Sequence, residues 1–133
     1  MEQDMKRYLL DTNILIYYLA DAIPPRRVDE IEAMLRSSFH ISIITKIEFL
    51  GWKKHTPEGY ARAEEFTRPA EVFPLTDTIA DSAIHLRRTC GVQLPDAVIA
   101  ATALVHDCVL VTRNKRDFTG ICTLEILNPF SEP

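Results

Sequence analysis

Cysteine is scarce and poorly placed for cross-linking: Cys90, Cys108 and Cys122 are the only three in 133 residues, an odd number at wide spacing with no C-x-x-C pair. A disulfide framework and a cysteine-based zinc site are therefore excluded, and three reduced thiols in or near a core are expected. Long apolar runs are missing as well. The longest, Ile14–Ala20 and Ala97–Ala101, fall far short of the ~18 residues that a membrane span requires. Met1–Arg7 mixes acids and bases without an apolar stretch, so a secretory leader is not expected and the cytoplasm is the expected compartment. No internal repeat or low-complexity tract appears, and no linker beyond the turn at Pro24-Pro25. Finally, positive charge is not in surplus. Fifteen Lys+Arg stand against 19 Asp+Glu, a formal charge of -4, which excludes a protein that grips nucleic acid simply by being basic all over.

What is present is the composition of a soluble globular chain, 47% apolar and 26% charged, of a length that suits one domain over residues 1–133 with a single sizeable core. Lys6–Asp11 reads as a strand whose Tyr8, Leu9 and Leu10 form a continuous apolar run. Such runs mark strands buried on both faces. His40–Ile44, Val72–Leu75, Val109–Thr112 and Thr123–Leu127 are further short strands. Helices are predicted over Ile14–Ala20, from Val28 to Leu35, from Thr45 through Trp52, over Pro57–Arg68, over Asp77–Arg88 and from Pro95 to His106. The last is Ala-rich and apolar almost all round, so it should be buried. Strands alternating with helices predict an α/β fold, with a mainly parallel sheet covered on both sides.

In such a sheet, ligands sit beyond the carboxyl ends of the strands. Four acids fall there: Asp11 ends the first strand, Glu48 lies in the helix after the second, Asp96 follows Pro95 in the buried helix, and Asp117 follows the strand ending at Thr112. Each has a structural reading. Asp11 can cap its helix, Thr45-x-x-Glu48 has the pattern of a capping box, Asp96 complements a helix dipole and Asp117 suits a turn. Their apolar surroundings weigh against all four readings holding at once, because carboxylates beside buried elements are costly without compensation. Converging carboxylates repel one another unless a metal neutralises them, and oxygen ligands suit a hard divalent ion, Mg²⁺ or Mn²⁺. The histidines, His40, His55, His85 and His106, are dispersed and read as surface or satisfied residues.

The segments LLDTNILIYYL (9–19), SIITKIEFLGW (42–52), LPDAVIAATAL (94–104) and LVTRNKRDF (110–118) resemble, in order and spacing, the signature segments of PIN-domain ribonucleases. More narrowly, they resemble VapC-type toxins of toxin–antitoxin pairs. The resemblance covers essentially the whole chain. It implies a three-layer α/β/α sandwich whose acidic pocket binds Mg²⁺ or Mn²⁺ and cuts single-stranded or looped RNA, leaving 5′-phosphate and 3′-hydroxyl ends. Asp11, Glu48 and Asp96 match the family's best-defined acidic positions. At the fourth, some members carry an acid where this chain has Asn114 and others an acid three residues later, as Asp117 is here. Thr112 and Asn13 match supporting positions. A homodimer and a small antitoxin covering the pocket are implied as partners, with Ile14–Ala20 and Phe49–Trp52 as candidate surfaces or core.

Arg113, Lys115 and Arg116 flank the last acid, and Lys46, Lys53 and Lys54 lie on or after the Glu48 helix. They are the candidate phosphate contacts, which position a nucleic acid without reading its sequence. A phosphoacceptor receiver domain would need an acidic pair at the first strand, a central acceptor Asp and a late Lys-Pro. An Asp-nucleophile phosphohydrolase would need an acid where Asn13 stands. The competitor that survives is an inactive fold of the same family kept as a binding module. Without the four site acids, 15 remaining carboxylates balance 15 Lys+Arg, so a neutral shell would surround the pocket.

Overall fold

The computed structural model describes residues 6–131, so most of the Met1–Arg7 segment lies outside the described residues. The elements run β1 (Arg7–Leu10), α1 (Thr12–Leu19), α2 (Val28–Ser37), β2 (His40–Ser42), α3 (Ile43–Leu50), α4 (Pro57–Thr67), β3 (Glu71–Phe73), α5 (Asp77–Cys90), α6 (Leu94–Val105), β4 (Cys108–Val111) and β5 (Ile126–Leu127). Single 3-10 turns cover Pro25–Arg27 and Lys115–Phe118. The five strands form one sheet in the order β3-β2-β1-β4-β5, every pair parallel. Among the described residues no helix is long and apolar enough to cross a membrane.

Alternation along the strands builds two cores. Leu9 and Leu110 point to one face, where Ile79, Ala83 and Leu86 of α5 and the alanine-rich face of α6 close over them. Leu10, Val111 and Ile41 point to the other, against Ile14 and Leu15 of α1, Ile31 and Met34 of α2 and Ala63 of α4. Sheet between helices on both faces is the three-layer α/β/α sandwich expected. Helix α6 is buried from Ala97 to Ala103. Its one buried hydroxyl, Thr102, donates to the Val98 carbonyl at 2.7 Å, so no polar group is left unsatisfied.

Boundaries differ from expectation chiefly around β2. The β-branched run Ile41–Ile44 suits a strand by propensity, but the chain turns at Ser42, whose hydroxyl accepts the Ile44 N–H at 3.0 Å and caps α3. Thr45 is thus a fully buried residue inside α3, and Thr45-x-x-Glu48 is not a capping box. Strand β5 shortens to two residues. Of the thiols, Cys108 is buried and Cys90 half-buried, but Cys122 is exposed, contrary to the expectation for all three.

Helix α5 ends at Gly91, which sits at φ +67° with nothing within 4 Å of where a Cβ would stand. A side chain there meets backbone strain alone. Gly91→Ala should therefore cost about 1 kcal/mol, read as a lower urea midpoint at unchanged slope.

Candidate active site at the carboxyl edge of the sheet

The strand order places the topological switch between β1 and β4, whose connections leave in opposite directions and open a crevice at their carboxyl ends. Leu10 is paired with Val111, so the next residues, Asp11 and Thr112, emerge side by side. Asp11 is only 6% exposed and carries a dense set of donors. Its Oδ1 accepts the Thr12 N–H at 2.8 Å, which makes it the cap of α1. Its Oδ2 accepts the Thr112 hydroxyl at 2.8 Å and the Asn13 amide at 3.0 Å. The capping reading of Asp11 is thus correct, and one carboxylate oxygen remains engaged with groups that lead to other strands.

Asn13 and Thr112 extend this network. The Asn13 Oδ1 accepts the Arg113 N–H at 3.0 Å, and the Thr112 hydroxyl oxygen accepts the Asn114 N–H at 3.0 Å. Both residues orient the Asp11 carboxylate and tie it to the loop after β4. Burial still pushes the Asp11 carboxyl above its ordinary range, with the nearby Glu48 charge in the same direction and the hydrogen bonds opposing.

Glu48 is exposed on α3 and accepts a 2.6 Å hydrogen bond from the Thr12 hydroxyl, itself 3.2 Å from the Thr45 hydroxyl. Thr12 is not singled out by the sequence, and Thr45 is read there only as the cap partner of Glu48. A hydroxyl immediately after Asp11 and another three residues before Glu48 were the available signals.

Asp96 occupies the first turn of α6, after Pro95 and beyond a Gln93 cap that makes no side-chain capping bond. Its carboxyl is pushed from the ordinary 3.8 up to about 6, first by burial and then by the charges of Asp11, Asp117 and Glu48. The charges of three acids from three other segments thus reach the Asp96 carboxyl. Asp117 lies exposed in the 3-10 turn, its N–H bonded to the Asn114 carbonyl at 3.0 Å, so the turn reading is also correct. The Asn114 side chain caps nothing. Between α6 and this turn lies a polar cavity of about 330 Å³ lined by Asp96, Asp117, Arg116, Gln93 and Thr119. Gln93 and Thr119 were not anticipated.

Among the described residues no three carboxylate, histidine or cysteine groups are gathered tightly enough to hold a metal ion by themselves. This donor set still fits Mg²⁺ or Mn²⁺. Mg²⁺ keeps several waters and takes one or two carboxylates plus substrate phosphate rather than an all-protein cage. The remaining bases are exposed: Lys46 on α3, Lys115 and Arg116 in the 3-10 turn, and Arg113 beside it. The histidines behave as expected. His55 pairs with the Phe49 carbonyl at 2.8 Å, His40 contacts Glu71 at 3.1 Å, and His106 stacks on Phe73.

Beside Glu48, Ile16 and Trp52 are exposed and, with Leu19, Phe49 and Ala63, line an apolar groove of about 480 Å³. The two segments left open as surface or core therefore divide, Ile14, Leu15 and Phe49 inward and Ile16 and Trp52 outward.

Residues 8–123 match the family description "PIN domain". A toxin–antitoxin complex from Klebsiella pneumoniae contains a chain 31% identical to this one, with TM-score 0.73, over 94% of this chain and 99% of that one. The DNA-bound VapBC of Salmonella typhimurium is similar at 27% identity and TM-score 0.80, over 94% and 99% of the two chains. VapBC-1 of nontypeable Haemophilus influenzae is similar at 26% identity and TM-score 0.76, over 93% and 98%. The search of curated proteins returned no match.

Proposed function

From the premise that this chain belongs to the PIN-domain family, we propose that it is a metal-dependent endoribonuclease and the toxin of a cytoplasmic toxin–antitoxin pair, acting as one domain over residues 1–133. The observation that carries the proposal is the Asp96 carboxyl, raised to about 6 first by burial and then by the charges of Asp11, Asp117 and Glu48. Structural acids are spread apart or paired with bases. Acids set against one another at a strand-end crevice suit a site that a cation completes.

Asp11, Asp96, Glu48 and Asp117 would hold Mg²⁺ or Mn²⁺, with Asn114 as a neutral neighbour of the last. When bound, the ion would lower the pKa of a water and offset charge on the phosphodiester. The protein's own part is orientation. Asn13 and Thr112 fix the direction of the Asp11 carboxylate, while the Thr12 hydroxyl fixes Glu48, which would direct the attacking water or share the ion. Arg113, Lys115, Arg116 and Lys46 would take the flanking phosphates.

The similar chain from Klebsiella belongs to a toxin–antitoxin complex. A small antitoxin is accordingly the partner for the apolar groove that opens beside Glu48, and a homodimer is the expected assembly. A groove with an exposed Trp and Ile at its lip is an unusual expense on a surface with nothing to cover it.

The decisive experiment is incubation of purified protein with structured and single-stranded RNA, with and without Mg²⁺ or Mn²⁺, followed by 5′-end mapping. Metal-dependent cuts with 5′-phosphate ends are expected. Absence of cutting with tight RNA or antitoxin binding would favour the inactive binding module instead. Thr112→Val tests the orienting role: it keeps the shape but removes the donor to Asp11, and cleavage should fall about 10-fold. An unchanged rate would remove Thr112 from the site.

A further inference from the structure

Arg113 is held in an unusual way for a surface arginine. Its guanidinium carbon lies 4.4 Å from the Phe130 ring centre and 5.0 Å from that of Tyr17. The two rings are themselves 5.0 Å apart and inclined at 62°, so they form a corner into which the guanidinium fits. Tyr17 comes from α1 and Phe130 from the segment after β5, over a hundred residues away.

The backbone on both sides is also tied down. The Arg113 N–H donates to Asn13, which in turn donates to the Asp11 carboxylate, and the Arg113 carbonyl accepts from Asn128 at 3.3 Å. Asn128 also accepts the Phe130 N–H at 2.9 Å, which sets the Phe130 ring. Arg27 holds the Ser131 carbonyl at 2.9 Å and anchors the end of the same segment.

No carboxylate among the described residues pairs with Arg113. With the rings only 5.0 Å from each other, both lie on one side of the guanidinium, and its other side meets neither ring. An exposed arginine backed on one side by two rings and paired with no carboxylate keeps N–H donors for a phosphate. It stands two hydrogen bonds from Asp11, where the proposed reaction takes place.

We propose that Tyr17 and Phe130 are positioning residues that preset Arg113 as a phosphate clamp on RNA next to the scissile bond. This rests on the ribonuclease reading but is tested apart from it. The preset guanidinium loses little freedom on binding, so the clamp lowers the cost of seating substrate without touching the reacting atoms.

Two measurements on the full chain decide it. The first is fluorescence anisotropy of a labelled single-stranded RNA across a salt series, which needs no cleavage. Phe130→Leu and Tyr17→Leu should each weaken binding several-fold. Arg113→Gln should weaken it about tenfold and reduce the salt slope by about 0.7, the share of one phosphate contact on a single strand. Phe130→Leu added to Arg113→Gln should produce no further loss, and Phe130→Tyr should bind like wild type.

The second measurement is steady-state cleavage, where the ring variants should raise KM with kcat unchanged. Ring variants that lower the melting temperature but leave anisotropy, salt slope and KM unmoved would overturn the clamp and make the corner purely structural. If wild type fails to cleave yet the anisotropy pattern appears, the clamp stands and the nuclease reading falls. If neither RNA binding nor cleavage responds, the clamp is overturned.

Discussion

Asp11→Asn should abolish metal-dependent RNA cleavage, by about 100-fold or more, while leaving the protein folded. The side chain does two separable things. As a cap it offers one oxygen to the Thr12 N–H, and the asparagine carbonyl can do the same. As an anion it supplies charge to a cation and to the reacting centre, and asparagine cannot. The folded protein also holds this carboxyl above its ordinary range through burial, so removing the charge relieves a desolvation cost. The opposing loss is an acceptor for the Asn13 amide and the Thr112 hydroxyl at Oδ2. These two effects nearly offset each other, and the change in urea stability should stay within about 1 kcal/mol. Cleavage within threefold of wild type would remove Asp11 from the proposed chemistry; a collapse in stability would mean that its Oδ2 bonds to Asn13 and Thr112 hold the fold together.

Asp96→Asn should lose activity as severely and gain stability, with a pH dependence that identifies the cause. The folded state raises this carboxyl from 3.8 to about 6, so folding disfavours its ionised form. Below about pH 4 the group is protonated in folded and unfolded chains alike and contributes nothing. As pH climbs from about 4 to 6 the unfolded chain ionises first, and the folded state falls behind. Above 6 the full destabilisation is present. Asp96 is half-buried, so solvent screening trims it to about 1 kcal/mol. The variant should melt about 3–5 °C higher than wild type at pH 8 and within 1 °C at pH 4. Mg²⁺ or Mn²⁺ should recover the same stability in wild type and do little in the variant, since an ion that binds only the folded state stabilises by mass action. A variant that melts lower at pH 8 would contradict the cost of an ionised Asp96 in the folded state, set first by burial and then by the neighbouring acids.

The parts of this arrangement legible in the sequence are those set by local pattern. Unbroken apolar runs such as Leu9-Leu10 and Cys108–Val111 mark strands buried in the sheet, and the candidate acid Asp11 follows directly from where the first of them ends. Helix α6 was evident from an alanine-rich stretch with no polar face. The parts that were not legible depend on which residues meet across the fold. Ser42 and Thr45 are equally good caps by type, and the turn at Ser42 is decided by β2 pairing with β1 and β3 rather than by propensity. The Thr12–Glu48 bond spans 36 positions. Arg113 was anticipated as one cation among several, whereas its stacking on Tyr17 and Phe130 needs both ends of the chain to meet.

The pairing of β1 with β4 also sets a clock. Asp11 is made early, but the strand that supports it, the hydroxyl that orients it and the last acid lie between residues 108 and 117. A growing chain on the ribosome therefore has no assembled site until about nine-tenths of it has been synthesised. Contacts between residues so distant in sequence also form slowly, because closing a long loop precedes any gain from pairing. At a synthesis rate of about 5–20 residues per second, the delay amounts to several seconds. During those seconds Asp11 stands without the strand and the hydroxyl that orient it. A fold that joined consecutive strands in hairpins would have closed the crevice much sooner.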